Sequence, residues 1–218
     1  MSHNDRVRTA YGSRAEEYIR LLGSVAALSP LDAARIRRWA GGVTGRILDA
    51  GSGPGHWTAF LDEAGRDVEG LDLTPEFVAH ARRAYPHVTY REGSLLTLPH
   101  ADGSLGGVLA WYSLIHLEPD DLTAALTEFA RVLAPGGSLL LGFFEGPDGE
   151  FAHAVTPARF WSLVAMARAL EGAGFEAVEV ETRHDAGARP HASITALLPA
   201  QNGTGVTVPL SQSRRMIP

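Results

Sequence analysis

The chain contains no cysteine. Disulfides, thiolate nucleophiles and cysteine-ligated metals are therefore excluded. It contains no lysine either, and all 19 of its Lys and Arg residues are arginine. That removes the Schiff-base lysine of pyridoxal-phosphate enzymes, the phosphate-gripping lysine of a P-loop and the Tyr-x-x-x-Lys pair of short-chain dehydrogenases. No apolar run approaches the ~20 residues of a membrane span. The opening Met1-Ser2-His3-Asn4-Asp5-Arg6 is not followed by an apolar secretory core, so a cytoplasmic location without membrane attachment is expected. A net charge of −6 argues against a nucleic-acid partner, which needs a basic stripe against phosphates. The clusters Arg35-Ile36-Arg37-Arg38 and Arg82-Arg83 read as solvated helix faces. No histidine pair has the H-x-x-x-H spacing of a helical zinc site, so no metal is expected. Gly51-Ser52-Gly53 lacks the register of a hydrolase elbow.

What is present begins with Ile47-Leu48-Asp49-Ala50-Gly51-Ser52-Gly53-Pro54-Gly55, with Asp72 closing the next apolar run. This reads as a buried strand, a glycine turn and a helix start, then a second strand ending in a carboxylate. Glycines at 51, 53 and 55 permit backbone angles and close approaches that a Cβ forbids. A helix opening near Gly55 aims free N–H groups and its positive dipole end at whatever lies over the turn. A dinucleotide fold wants G-x-G-x-x-G, but His56 stands at the third glycine position. Asp72 lies 21 residues after Gly51. A carboxylate there can accept the hydroxyls of a ribose. It can also cap the helix that Thr74-Pro75-Glu76 begins, but the glycine turn upstream favours the ribose.

The 218 residues, 45% apolar and 20% charged, suffice for one sizeable domain. Apolar spacing predicts helices over 4–22 and 31–40, then strands over 46–50, 67–72, 88–91, 105–111 and 138–144 alternating with helices over 55–65, 75–85, 119–133 and 158–172. Strands over 175–183 and 190–198 follow. Such alternation predicts a doubly wound α/β sheet. Residues 1–198 are expected to form the single domain, with 1–41 a helical lid and 46–198 the core. Residues 199–218 read as a loose tail, although Gly205-Val206-Thr207-Val208 has strand character.

The chain resembles the class I S-adenosylmethionine-dependent methyltransferases over roughly residues 5–198. Asp49 to Gly55 fits their D-x-G-x-G-x-G strand end, Asp72 their acidic residue after the second strand, and Arg131-Val132-Leu133-Ala134-Pro135-Gly136-Gly137 their R-V-L-x-P-G-G motif. Tyr11-Gly12-Ser13-Arg14-Ala15-Glu16-Glu17-Tyr18 and Trp111-Tyr112-Ser113-Leu114-Ile115-His116 are similar to segments of the small bacterial branch related to the ubiquinone and menaquinone methyltransferases. The resemblance implies a Rossmann-like seven-stranded mixed sheet, its last strand antiparallel, under an N-terminal helical lid. It implies that Asp49, Ala50, Gly51 and Gly53 line the methionyl end of the cofactor, that Asp72 binds the ribose, and that Leu73 and Phe77 pack on adenine. Ser94 and Leu95 would meet the adenine edge, where many relatives carry Asp in place of Ser94. Ala110 and Trp111 would flank the methionyl group, and Tyr11 and Trp57 would close over the sulfonium; core packing is the alternative for both aromatics.

The expected activity is methyl transfer from S-adenosylmethionine to an O or N atom of a small-molecule acceptor, yielding S-adenosylhomocysteine. In such a displacement the protein positions two reactants and excludes water. His116, at the carboxyl edge of the sheet, is the expected base, with a reference pKa near 6.5. His56, His153 and His191 are further acceptor-side candidates. The rival readings are a catalytically idle protein that binds S-adenosylmethionine or S-adenosylhomocysteine, and an NAD(P)-linked oxidoreductase. A monomer or homodimer is expected.

Overall fold

The computed structural model describes residues 3–185 and 187–200. Two helices open the chain, α1 (His3–Ser13) and α2 (Ala15–Leu22). The single helix expected over 4–22 is thus broken. Gly12 and Ser13 are weak helix formers, and Ser13 Oγ bonds back to the Ala10 carbonyl at 2.9 Å. Arg14 leaves helical geometry at φ −121°, ψ 14°. Helix α3 (Pro30–Gly42) follows a 3-10 turn and is capped by Ser29, whose Oγ accepts from the Leu31 N–H.

The core then alternates β1 (Ile47–Ala50), α4 (His56–Glu63), β2 (Val68–Asp72), α5 (Pro75–Ala84), β3 (Thr89–Glu92), β4 (Leu105–Trp111), α6 (Pro119–Val132) and β5 (Leu133–Phe144). A hairpin of β6 (Gly149–Phe151) and β7 (Ala158–Phe160), helix α7 (Leu163–Gly172), β8 (Glu176–Arg183) and β9 (His191–Leu197) complete it. The sheet has seven strands in the order β3-β2-β1-β4-β5-β9-β8. The pairs from β3 to β5 are parallel, and the last strand, β9, is antiparallel to both neighbours, as expected.

The chain builds outward from β1 to β3, then restarts on the other side with β4. The crevice beyond the carboxyl ends of β1 and β4 is therefore the switch point where α/β sheets hold ligands. Side chains alternate across the sheet. Leu48, Ala50, Val108 and Leu139 pack toward Phe129 of α6 and Met166 of α7. Ile47, Leu109 and Leu140 pack toward Trp39 of α3 and Leu61 of α4.

Two expectations are corrected. The helix expected from 158 starts at Leu163, where Ser162 Oγ caps the Ala165 N–H at 3.1 Å. Residues 158–160 form β7 instead, because their backbone is claimed by tertiary partners: Arg159 N–H bonds the Ile115 carbonyl at 2.8 Å, and the rings of Phe151 and Phe160 sit 4.2 Å apart. Strand β5 starts earlier than expected, since Leu133 pairs with Leu105 before a register shift at Pro135-Gly136-Gly137. The tail assignment falls on residues 201–218, outside the described residues. No helix among the described residues is long and apolar enough to cross a membrane.

Candidate functional site

The glycine turn lies where β1 ends. Gly53 holds φ +54° and nothing lies within 4 Å of the place its Cβ would occupy. Gly55, at φ +90°, is the N-cap of α4, and a Cβ there would meet Ala81 Cβ at 2.7 Å. One glycine keeps a space open; the other lets α4 press against α5.

Asp72 ends β2 and is buried. Its Oδ2 accepts from the Gly53 N–H and its Oδ1 from the Thr74 N–H, both at 2.8 Å. Burial pushes its carboxyl above the usual range, and these N–H donors oppose the shift. Thr74, not Asp72, is the N-cap of α5. Asp72 therefore ties the glycine turn to the end of β2 and still has lone pairs to offer.

Asp49 sits behind this surface, on the α4 side of β1. Its Oδ2 accepts from Thr58 Oγ1 at 2.7 Å. It is 1% exposed, and burial pushes its pKa up to about 7 against the lowering effect of the Thr58 bond.

Two adjoining cavities open at the switch point. The smaller, about 130 Å³, has Gly51, Gly53 and Asp72 on its floor, Leu73 and Phe77 on one wall, and Ser94, Leu95, Trp111 and His116 opposite. Asn4, Val7, Tyr11 and Tyr18 from the first two helices roof it. The larger, about 510 Å³, shares Tyr11, Tyr18, Gly51, Gly53, Trp111 and Tyr112 and extends over His56, Trp57, Phe144, His153 and His191. Of the seventeen residues singled out in the sequence, fourteen line one or both cavities. Asp49, Ala50 and Ala110 do not; they are buried behind the lining at 1%, 0% and 0% exposure.

The roof is bonded to the floor. Asn4 Nδ2 donates to Ser94 Oγ at 3.0 Å. The Tyr11 ring meets Phe77 and Tyr18 edge-on, and its hydroxyl is 2.8 Å from His116 Nε2. His116 Nδ1 lies 2.8 Å from the Pro157 carbonyl. A carbonyl only accepts, so Nδ1 carries the proton and Nε2 accepts from Tyr11. Burial raises the Tyr11 phenol pKa steeply, which keeps it a donor. His116, expected as a base, thus has both ring nitrogens engaged while the roof is closed.

Sequence reasoning singled out neither Tyr18 nor Tyr112. Tyr18 was legible as the second tyrosine of the Tyr11–Tyr18 segment. Tyr112 follows β4 at φ +55°, the one non-glycine with positive φ among the described residues. No residue pattern announces that conformation. Its hydroxyl bonds His191 Nδ1. Among the described residues, Ser52 Oγ, His56 Nδ1, Trp111 Nε1 and Ser113 Oγ are buried at these cavities without a hydrogen-bond partner. Unpartnered buried groups are costly, and their gathering at one place suits a polar ligand.

Residues 47–137, from β1 into β5, match a family described as "Methyltransferase domain". The chain is 36% identical over 108 residues to a malonyl-[acyl-carrier protein] O-methyltransferase of Pectobacterium atrosepticum, covering 50% of this chain and 41% of that protein. It is 40% identical over 93 residues to a demethylmenaquinone methyltransferase of Chlorobaculum parvum, covering 42% of this chain and 38% of that one. The chain thus spans about two fifths of the length of these curated relatives. Among solved structures, the 1,6-didemethyltoxoflavin-N1-methyltransferase of Burkholderia thailandensis, with 1,6-didemethyltoxoflavin and S-adenosylhomocysteine bound, superposes with a TM-score of 0.74. Identity to it is 26%, over 89% of this chain and 88% of that one. The matched span holds the glycine turn, Asp72 and His116; the roof helices and Tyr112's partner His191 lie outside it.

Proposed function

We propose that the chain binds S-adenosylmethionine over the glycine turn, transfers its methyl group to an O or N atom of a small-molecule acceptor in the larger cavity, and leaves S-adenosylhomocysteine. The observation that carries this reading is the union of three features at one switch point. Gly53 keeps a space open, Asp72 faces the same cavity, and unpartnered Trp111 Nε1 and Ser113 Oγ border it. The domain match and the fold likeness support it.

In this reading Asp72 takes the ribose, Leu73 and Phe77 take one adenine face, and Ser94 with Leu95 meets the adenine edge. Gly51, Gly53, Trp111 and Tyr11 enclose the methionyl end, with Asp49, Ala50 and Ala110 buried beneath it. Trp57 lines the acceptor side. The cofactor supplies an activated methyl group; the protein orients both reactants and excludes water. His116 serves by holding Tyr11 in the closed roof, and releases it when the roof opens. The reading takes 1–198 as one unit with 1–41 as lid and 46–198 as core, working in the cytoplasm as a monomer or homodimer, on no nucleic acid or membrane.

Calorimetric titration with S-adenosylmethionine, S-adenosylhomocysteine and NADH tests the donor. Micromolar binding of the first two, lost in Asp72→Ala, is expected. Binding of NADH alone overturns the reading in favour of an oxidoreductase. Donor binding without turnover across an acceptor screen marks an idle binder.

A further inference from the structure

The larger cavity has its own chemistry. Four charged side chains line it, and they pair off: Arg14 with Glu17 at 2.7 Å, and Arg183 with Asp32 at 2.8 Å. None is left to balance a charge on a guest. A carboxylate or ammonium acceptor entering there would lose water with no unpaired opposite charge on the lining to replace it. The rest of the wall is rings, among them Trp57, Trp111, Tyr112 and Phe144. Flat apolar walls with polar edges suit a planar aromatic guest.

One imidazole there is held but not spent. His191 opens β9, paired with Phe144 of β5 and Arg183 of β8. Its Nδ1 is bonded to the Tyr112 hydroxyl, and no protein group among the described residues bonds its Nε2. Tyr112 reaches it from a left-handed backbone, a conformation unfavourable for a non-glycine residue. The fold sustains that strain to bring a phenol against an imidazole at the cavity wall. Burial first, then the Arg183 charge, lowers the His191 pKa, while Asp32 and Asp185 oppose this. The ring is therefore neutral near pH 7. His116 has both nitrogens engaged, His56 has its Nδ1 buried, and His153 is bonded only within its own loop, its Nδ1 3.5 Å from the Val155 N–H, with no side-chain hydrogen bond among the described residues to orient its ring.

We propose that the acceptor is an uncharged planar aromatic compound bearing an acidic O–H or ring N–H, and that His191 Nε2, positioned by Tyr112, takes its proton. This deepens the methyltransferase reading and rests on it. With Nδ1–H donating to the Tyr112 oxygen, His191 Nε2 carries the free lone pair and removes the proton as the acceptor heteroatom bonds the methyl carbon. The carbon–sulfur bond breaks with its electron pair left on sulfur. The imidazolium then gives its proton to water.

The test uses the full chain, labelled S-adenosylmethionine and four probes: 1-naphthol, benzimidazole, benzoate and cyclohexanol. Methylation of 1-naphthol or benzimidazole, and of neither benzoate nor cyclohexanol, is expected. With the methylated probe, His191→Gln is expected to lower kcat by about 100-fold or more with KM changed little. Two readouts independent of turnover accompany it. S-adenosylhomocysteine affinity, by calorimetry, stays unchanged in His191→Gln, and 1-naphthol quenches the tryptophan fluorescence of the wild-type complex with S-adenosylhomocysteine. Tyr112→Phe, which keeps the ring and loses the hydroxyl, is expected to lower kcat and shift the acid limb of the pH profile.

Methylation of benzoate or cyclohexanol alone, of none of the four, or full kcat in His191→Gln overturns the proposal. So does loss of kcat in His56→Gln with His191→Gln still active. If S-adenosylhomocysteine does not bind the wild type, the donor reading itself has failed, and the two failures are thereby told apart.

Discussion

The Tyr11 hydroxyl donates to His116 Nε2 at 2.8 Å, joining helix α1 to the loop after β4. With Asn4 to Ser94 it fastens the roof over the smaller cavity, and Arg14 bonds the Ala154 carbonyl at the larger one. A buried hydrogen bond contributes about 1 kcal/mol net, or roughly fivefold in an equilibrium. Tyr11→Phe keeps the ring against Phe77 and Tyr18 and removes only this bond. It should weaken S-adenosylhomocysteine binding by about threefold to tenfold, chiefly through a faster off-rate, with little change in melting temperature. Stopped-flow displacement gives the off-rate. An unchanged off-rate would mean that the bond does not hold the roof.

Gly53 and Gly55 separate binding from folding. Alanine at Gly53 has room but must adopt φ +54°, at a cost of about 1 kcal/mol. Its methyl group would project into the space proposed for the cofactor. Alanine at Gly55 would press on Ala81 and Tyr90 at 2.7 and 2.8 Å. Gly53→Ala is expected to fold nearly normally and lose S-adenosylhomocysteine binding by about tenfold or more, a larger loss than its change in stability. Gly55→Ala is expected to lose stability first, by about 1–3 kcal/mol. Calorimetry and urea unfolding of both variants decide this. Equal binding losses at equal destabilisation would refute it.

Much of this was legible in the sequence, for physical reasons. The run from Ile47 to Gly55 declared a strand, a turn and a helix because glycine at three fixed offsets serves little else. The alternation of strands and helices gave the doubly wound sheet, and fourteen of the seventeen predicted site residues line the two cavities. The β6–β7 hairpin was not legible. Ala158-Arg159-Phe160 carries no turn or alternation signal, and its backbone is fixed by Ile115 and Phe144, more than ten residues away in sequence. Local propensity does not report such partners. Tyr112 escaped for the same reason, since its left-handed backbone is imposed by the fold. His116 looked like a free base because sequence places it at the sheet edge but does not show Pro157 and Tyr11 at its two nitrogens.

Arg35 offers a test of how α3 is anchored to the far edge of the sheet. It is 3% exposed and donates to Ser193 Oγ at 3.2 Å, Glu179 Oε2 at 2.6 Å and Thr195 Oγ1 at 2.7 Å. Arg35→Ala removes the packing stem and strands two hydroxyls. A loss of about 2–4 kcal/mol is expected in urea unfolding. Arg35→Met, which refills most of the volume, should recover part of it. A loss below about 1 kcal/mol for the alanine variant would show that α3 is held elsewhere.

Asp49 gives a prediction in pH. Its carboxyl is pushed up to about 7 in the folded chain, chiefly by burial, from an ordinary value of 3.8. Between about pH 4 and pH 7 the unfolded chain has released this proton and the folded chain keeps it. Folding then becomes less favourable as pH rises through that window, because the folded state binds more protons. The side-chain amide of an Asp49→Asn variant cannot ionise, and its carbonyl can still accept from Thr58 Oγ1. The two proteins should therefore melt alike near pH 4, and the variant should melt higher at pH 8, by roughly 2–4 °C for each kcal/mol relieved. Other titrating groups are common to both proteins and cancel in the difference. Parallel melting curves from pH 4 to pH 8 would show that Asp49 ionises freely where it lies. A gap that closes when S-adenosylmethionine is added would show that the cationic ligand makes good what burial costs this carboxylate, which is the reason to keep an acid beneath the glycine turn.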